Sequence, residues 1–125
     1  MMRVALGIGF RAGVRAAQLD AAVRVALAAH PGAQPAVVAT LAAKSRARAL
    51  RTLCARRGWP LVAFEPAQLA ACAQRAASAP SAAALARFGV AGVAEPCAQL
   101  AAPHGRLLAP KTIRDGVTVA LAGPL

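Results

Sequence analysis

Tyrosine is missing from this chain, and the other aromatics amount to one Trp and three Phe. So few rings exclude an aromatic ligand cage and argue against the stacking platforms on which single-stranded nucleic acid is held. Acids are nearly as scarce: four Asp and Glu stand against fifteen Lys and Arg, a formal charge of +11. Such a balance favours polyanionic partners and opposes close self-association. By itself it leaves nucleic acid, anionic lipid and a metabolite with many carboxylates open. The three cysteines, Cys54, Cys72 and Cys97, show neither CxxC nor Cys/His ligand spacing. A disulfide framework and a structural zinc site are therefore excluded, no metal or cofactor is expected, and the thiols read as reduced core residues. Long apolar runs are also lacking. The longest charge-free stretch, Val25 to Ala43, contains His30, Pro31, Gly32 and Pro35, which disqualifies it as a membrane span. Met1-Met2-Arg3 leads straight into a strand pattern with no cleavage site, so the expectation is a cytoplasmic protein without a signal peptide.

What is present reads as one domain over residues 1–125, long enough to bury its own core. Alanine inflates the hydrophobic content of 58%, so the informative positions are Val, Ile, Leu and Phe at strand or helix periodicity. Arg3 to Ile8 reads as a buried strand, and a helix over Ala16 to Ala29 carries Leu19, Val23, Ala26 and Leu27 on one side. Pro31-Gly32 ends it. Ala36 to Leu41 reads as a second strand, Ser45 to Arg57 as a basic helix stopped by Gly58, and Leu61 to Phe64 as a third strand. Glu65-Pro66 opens a short helix. Ser81 caps another through Phe88, and a further helix covers Val93 to Ala101. Arg106 to Ala109 and Val117 to Leu121 read as a hairpin whose connection holds the turn pair Asp115-Gly116. The order predicts an α/β fold: a layered mixed β-sheet flanked by helices, with a C-terminal β-hairpin.

Three segments carry chemical potential. The turn LGIGFRAG, Leu6 to Gly13, combines glycines that allow close backbone approach with the amides of a following helix N-terminus, and Arg11 adds charge. It lacks the Gly-Lys-Ser/Thr of a Walker loop and departs from GxGxxG, so an anion cradle and a plain packing turn both remain open. Lys44, Arg48 and Arg51 form a basic stripe at helical spacing, which reads either as a solvated face or as a binding surface. Near the C-terminus, Lys111 and Arg114 can reach carboxylates and Thr118 can donate a hydrogen bond. His30 and His104 lie beside Pro or Gly with no triad partner and are assigned no catalytic role.

LGIGFRAG, the Thr40/Lys44 pair, RRGWPLVAF (56–64), Ser81, GVAGVAEPCA (89–98) and LLAPK...GVTVALA resemble, in order and spacing, the CobE family and the C-terminal domain of the CbiG family. The resemblance covers nearly the whole chain. It departs at Phe10, where the family pattern commonly has cysteine, and at Ala47, where an acid often follows the lysine. The resemblance implies a protein of cobalamin (corrin ring) biosynthesis that binds a polycarboxylate precorrin or corrinoid intermediate. Its side chains would be met by Gly7, Gly9, Arg11, Gly13, Thr40, Lys44, Ser81, Lys111 and Thr118. Other corrin-pathway enzymes are implied as further partners. The alternatives are a cobalt-precorrin-5A-type lactone hydrolase that releases acetaldehyde, with Glu95 as general base, and a basic nucleic-acid-binding module, against which the missing aromatics and motifs argue.

Overall fold

Along β1 (Met2–Gly9) large and small residues alternate, Val4, Leu6 and Ile8 against Ala5, Gly7 and Gly9. Strand side chains leave opposite faces of a sheet in turn, so the two faces receive different cover. The structure is a computed structural model that describes residues 2–75, 90–108 and 111–125. In it the large face packs against α1 (Ala16–Ala28) and α2 (Arg48–Arg57), which supply Leu19, Val23, Leu50 and Leu53. The small face lies under α4 (Val90–Ala101), with Ala94 and Ala98 on the helix and Ala102 just beyond it packing on Ala5, Ala120 and Ala122. Next to α4 on this side runs α3 (Pro66–Arg75), whose Leu69 joins Ala39, Leu41, Val93 and Cys97.

Five more strands complete a six-stranded mixed sheet: β2 (Ala33–Leu41), β3 (Leu61–Phe64), β4 (Arg106–Leu107), β5 (Thr112–Arg114) and β6 (Val117–Gly123). The order is β3-β2-β1-β6-β4, with β5 also paired to β6. β1, β2 and β3 are parallel, and β6 runs antiparallel to β1. This is the expected layered mixed sheet. Two helices open with the same device: the N–H of Arg15 donates to Gln18 Oε1 and that of Glu65 to Gln68 Oε1, each at 2.8 Å, satisfying an otherwise orphaned amide. Gly58 ends α2 in the left-handed region at φ 70°, as its position in the sequence predicts.

Four expectations need correction. β2 begins at Ala33 and runs through Pro35; a register shift between Val4 and Ala5 accommodates the imino acid, which has no N–H for the ladder. The basic helix starts at Arg48 and not at Ser45, because Ala42–Lys44 forms a 3-10 turn and Ser45 bonds back to the carbonyl of Ala42, so Lys44 does not continue the stripe of Arg48 and Arg51. α4 starts at Val90, so Glu95 and Pro96 fall inside it instead of opening it. Finally, Asp115-Gly116, both at positive φ, joins β6 to β5, whereas Arg106–Leu107 pairs with the far end of the same edge at Ala122 and Gly123. The helix expected from Ser81 to Phe88 lies outside the described residues.

Candidate functional site

Of the predicted site residues, Gly9, Arg11, Gly13, Thr40, Lys44 and Thr118 lie around the point where the chain leaves β1. The Thr40 hydroxyl, fully buried near the end of β2, donates to the carbonyl of Ile8 at 2.8 Å and ties the two strands together at their carboxyl ends. Next along the chain, Gly9 pairs in register with Thr118 of β6. Phe10 follows, with its buried ring under the ammonium of Lys44 at 5.8 Å from the centroid. A ring in this place gives the cation an electrostatic partner on one side. Exposed Arg11 and Gly13 then line a cleft with Val14, Gln18, Asp115 and Gly116. Gly13 takes φ 84° there, a conformation that favours glycine.

Thr118 differs from the rest in being unsatisfied. It is fully buried, and its hydroxyl has no hydrogen-bond partner. Strand alternation puts it on the face that Ala120 and Ala122 present to α4, one step closer to the first turn of that helix. Burying an unpaired hydroxyl costs about 1–3 kcal/mol. His30 Nε2 is likewise buried and unpartnered, but it sits in the turn before β2, at the opposite end of the sheet.

Glu95 and Lys111 meet beside this face, Nζ to Oε1 at 3.8 Å, with side chains 34% and 32% exposed. The pair links α4 to the segment entering β5, and a long contact at this exposure contributes little to stability. The acid elsewhere engaged most strongly is Asp20, whose carboxyl is held below the usual range, chiefly by the hydrogen bond from Arg57 and also by Arg24. That cluster braces α1 against α2, and Arg57 also lies over the Trp59 ring. The three thiols are buried and none is in a disulfide. Burial, and secondarily Cys72, pushes the Cys97 thiol up to about 12, which removes it as a nucleophile near neutral pH.

Gly7 has a different place from the one expected. A Cβ there would lie 1.9 Å from the carbonyl oxygen of Ala94 and 2.6 Å from the amide of Ala98, so its close backbone approach is to α4. Ser81 lies outside the described residues. Phe10 under Lys44 and the Asp115-Gly116 wall of the cleft were missed as site features, since both depend on contacts between distant segments. Among the described residues no three His, Cys, Asp or Glu side chains are grouped as metal ligands, and no helix is long and apolar enough to cross a membrane.

A family model described as "Cobalamin synthesis G C-terminus" matches residues 4–122. The chain belongs to that family. As a CbiG C-terminal family member it is a protein of cobalamin biosynthesis. The fold is similar to a crystal structure of CobE, a protein from the cobalamin (vitamin B12) biosynthetic pathway. The TM-score is 0.77 and the identity 28%, over 97% of this chain and 89% of that one. It is also similar to the cobalamin biosynthesis protein chiG from Agrobacterium tumefaciens str. C58, at TM-score 0.74 and 26% identity, over 95% of this chain and 96% of the other. No curated protein sequence matches at a significant level.

Proposed function

We propose that this family member binds a polycarboxylate precorrin or corrinoid intermediate, as a cytoplasmic accessory protein of the CobE type. The observation that carries the reading is the buried, unpartnered Thr118 hydroxyl beside Gly9, two residues before Arg11 and next to Phe10, over whose ring Lys44 lies. A carboxylate accepts from a hydroxyl and pairs with ammonium and guanidinium groups, which is the donor set these residues offer. The +11 charge supplies the long-range attraction for a ligand with many acetate and propionate arms. Arg11, Gly13, Lys44, Lys111 and Thr118 are the residues assigned to contact it. Other enzymes of the pathway would deliver or receive the ring.

The test is an absorbance titration with a hydrogenobyrinic-type ligand. Affinity should fall as salt rises through ~0.1 M, where charges more than about 10 Å apart are screened. Lys44→Ala and Lys111→Ala should each weaken binding while the melting temperature stays nearly constant, since surface substitutions shift stability by about 0.5 kcal/mol or less. Salt-independent affinity, or wild-type affinity in both variants, would refute the site. Acetaldehyde release from a precorrin-5A-type substrate, abolished in Glu95→Gln, would instead make the protein a hydrolase with Glu95 as its base.

A further inference from the structure

Among the described residues β3 is the end strand of the sheet, and the ladder shows which of its backbone groups β2 does not use. The N–H of Val38 donates to Pro60 O at 2.9 Å, and Val38 pairs in register with Leu61. In a parallel ladder this turns the N–H and C=O of Val62 toward β2 and those of Leu61 and Ala63 outward. The outward row opens on a cleft of about 360 Å³ lined by Ser45, Arg46, Arg51, Leu61, Val62 and Ala63. Val62 is 37% exposed. Directly above, α2 starts with no acid in its first turn and no side-chain cap, so its positive end adds to the field of the two arginines.

An open edge strand is ordinarily covered or twisted away, because it is a template for another strand. Among the described residues this edge is guarded by charge alone. We propose that the β3 edge docks an extended acidic segment of a partner protein, added as a further strand. Its backbone bonds Leu61 and Ala63, an apolar side chain rests on Val62, and its carboxylates meet Arg46 and Arg51. A second copy of this chain does not fit, since it would set arginines against arginines at a net charge of +11. A small polycarboxylate would engage the arginines but leave the backbone row and Val62 unused. The proposal concerns the outer edge of β3, whereas the corrinoid site lies where the chain leaves β1, and its test uses no corrinoid, so the two readings fail separately.

The experiment is fluorescence anisotropy of the full chain with a labelled, end-capped octapeptide of alternating Glu and Val. The same peptide N-methylated at alternate residues, in each of the two registers, and an equally charged Glu/Pro peptide serve as comparisons. The unmodified peptide should bind, and N-methylation in one register should weaken it at least tenfold while the other register has little effect. Arg46→Glu with Arg51→Glu should abolish binding. Ala63→Pro should also weaken it, since the Ala63 N–H points away from β2 and the internal ladder does not use it. Equal binding of the Glu/Pro peptide or of both methylated forms would reduce the cleft to a general anion surface and overturn the proposal. So would absence of binding by the unmodified peptide at millimolar concentration. Methylation acts on the ligand alone, so the wild-type result holds even where a variant fails to fold.

Discussion

Thr118→Val should move stability and ligand affinity in opposite directions. Valine keeps the β-branched shape that suits β6 and replaces the hydroxyl with a methyl group. In the free protein the hydroxyl is fully buried and has no partner. Its removal therefore relieves about 1–3 kcal/mol of desolvation cost, and the new methyl adds apolar burial worth roughly 0.8 kcal/mol. Calorimetry should show a melting temperature raised by several degrees, since about 1 kcal/mol corresponds to roughly 4 °C in a domain of this size. With ligand, the lost hydrogen bond to a charged acceptor is worth about 1.5–3 kcal/mol. That is roughly a 10- to 150-fold weaker dissociation constant in the absorbance titration. A lowered melting temperature would mean that the hydroxyl is already satisfied in the free protein. Unchanged affinity would place the ligand elsewhere, and either result refutes the reasoning.

Two further outcomes test the frame around the site. Gly7→Ala would force the backbone of α4 more than an ångström off β1, because its Cβ would sit 1.9 Å from the Ala94 oxygen. The expected loss is at or above the ~1–3 kcal/mol typical of overpacking, read as a collapsed melting temperature, and a wild-type melt would show that α4 is not seated there. Asp20 has a lowered folded-state pKa, so its contribution is present above the ordinary carboxylate range near ~4 and is lost as pH falls through the folded value. Asp20→Asn should therefore melt below wild type at pH 7, and the gap should close in acid. A gap independent of pH would mean that the Arg57 and Arg24 contacts do not stabilise α1 on α2.

How far the residues announce this fold depends on the range of the interaction that decides each one. β1 is legible because its alternation of large and small side chains is a local record of two unlike faces, and the Asp115-Gly116 turn is legible because positive φ selects those residues. β5 is not, since a three-residue strand has too short a pattern to carry a period, and only its pairing with β6 makes it one. Pro35 hid the start of β2 because the bulge that tolerates it belongs to the pairing with β1. At the site the same limit separates the residue types, which are legible, from the neighbours that decide their use. Gly7 provides the close backbone approach its residue type allows, but the approaching backbone is α4. Thr40 and Thr118 are the same residue type in buried strand positions near the carboxyl end of the parallel strands, and no pattern in the chain distinguishes them. The strand exit does: Ile8 presents a carbonyl to the Thr40 hydroxyl, and nothing comparable reaches Thr118. A hydroxyl already spent within the fold holds the strands together; the one left unspent beside Gly9 is the one the proposed site calls on.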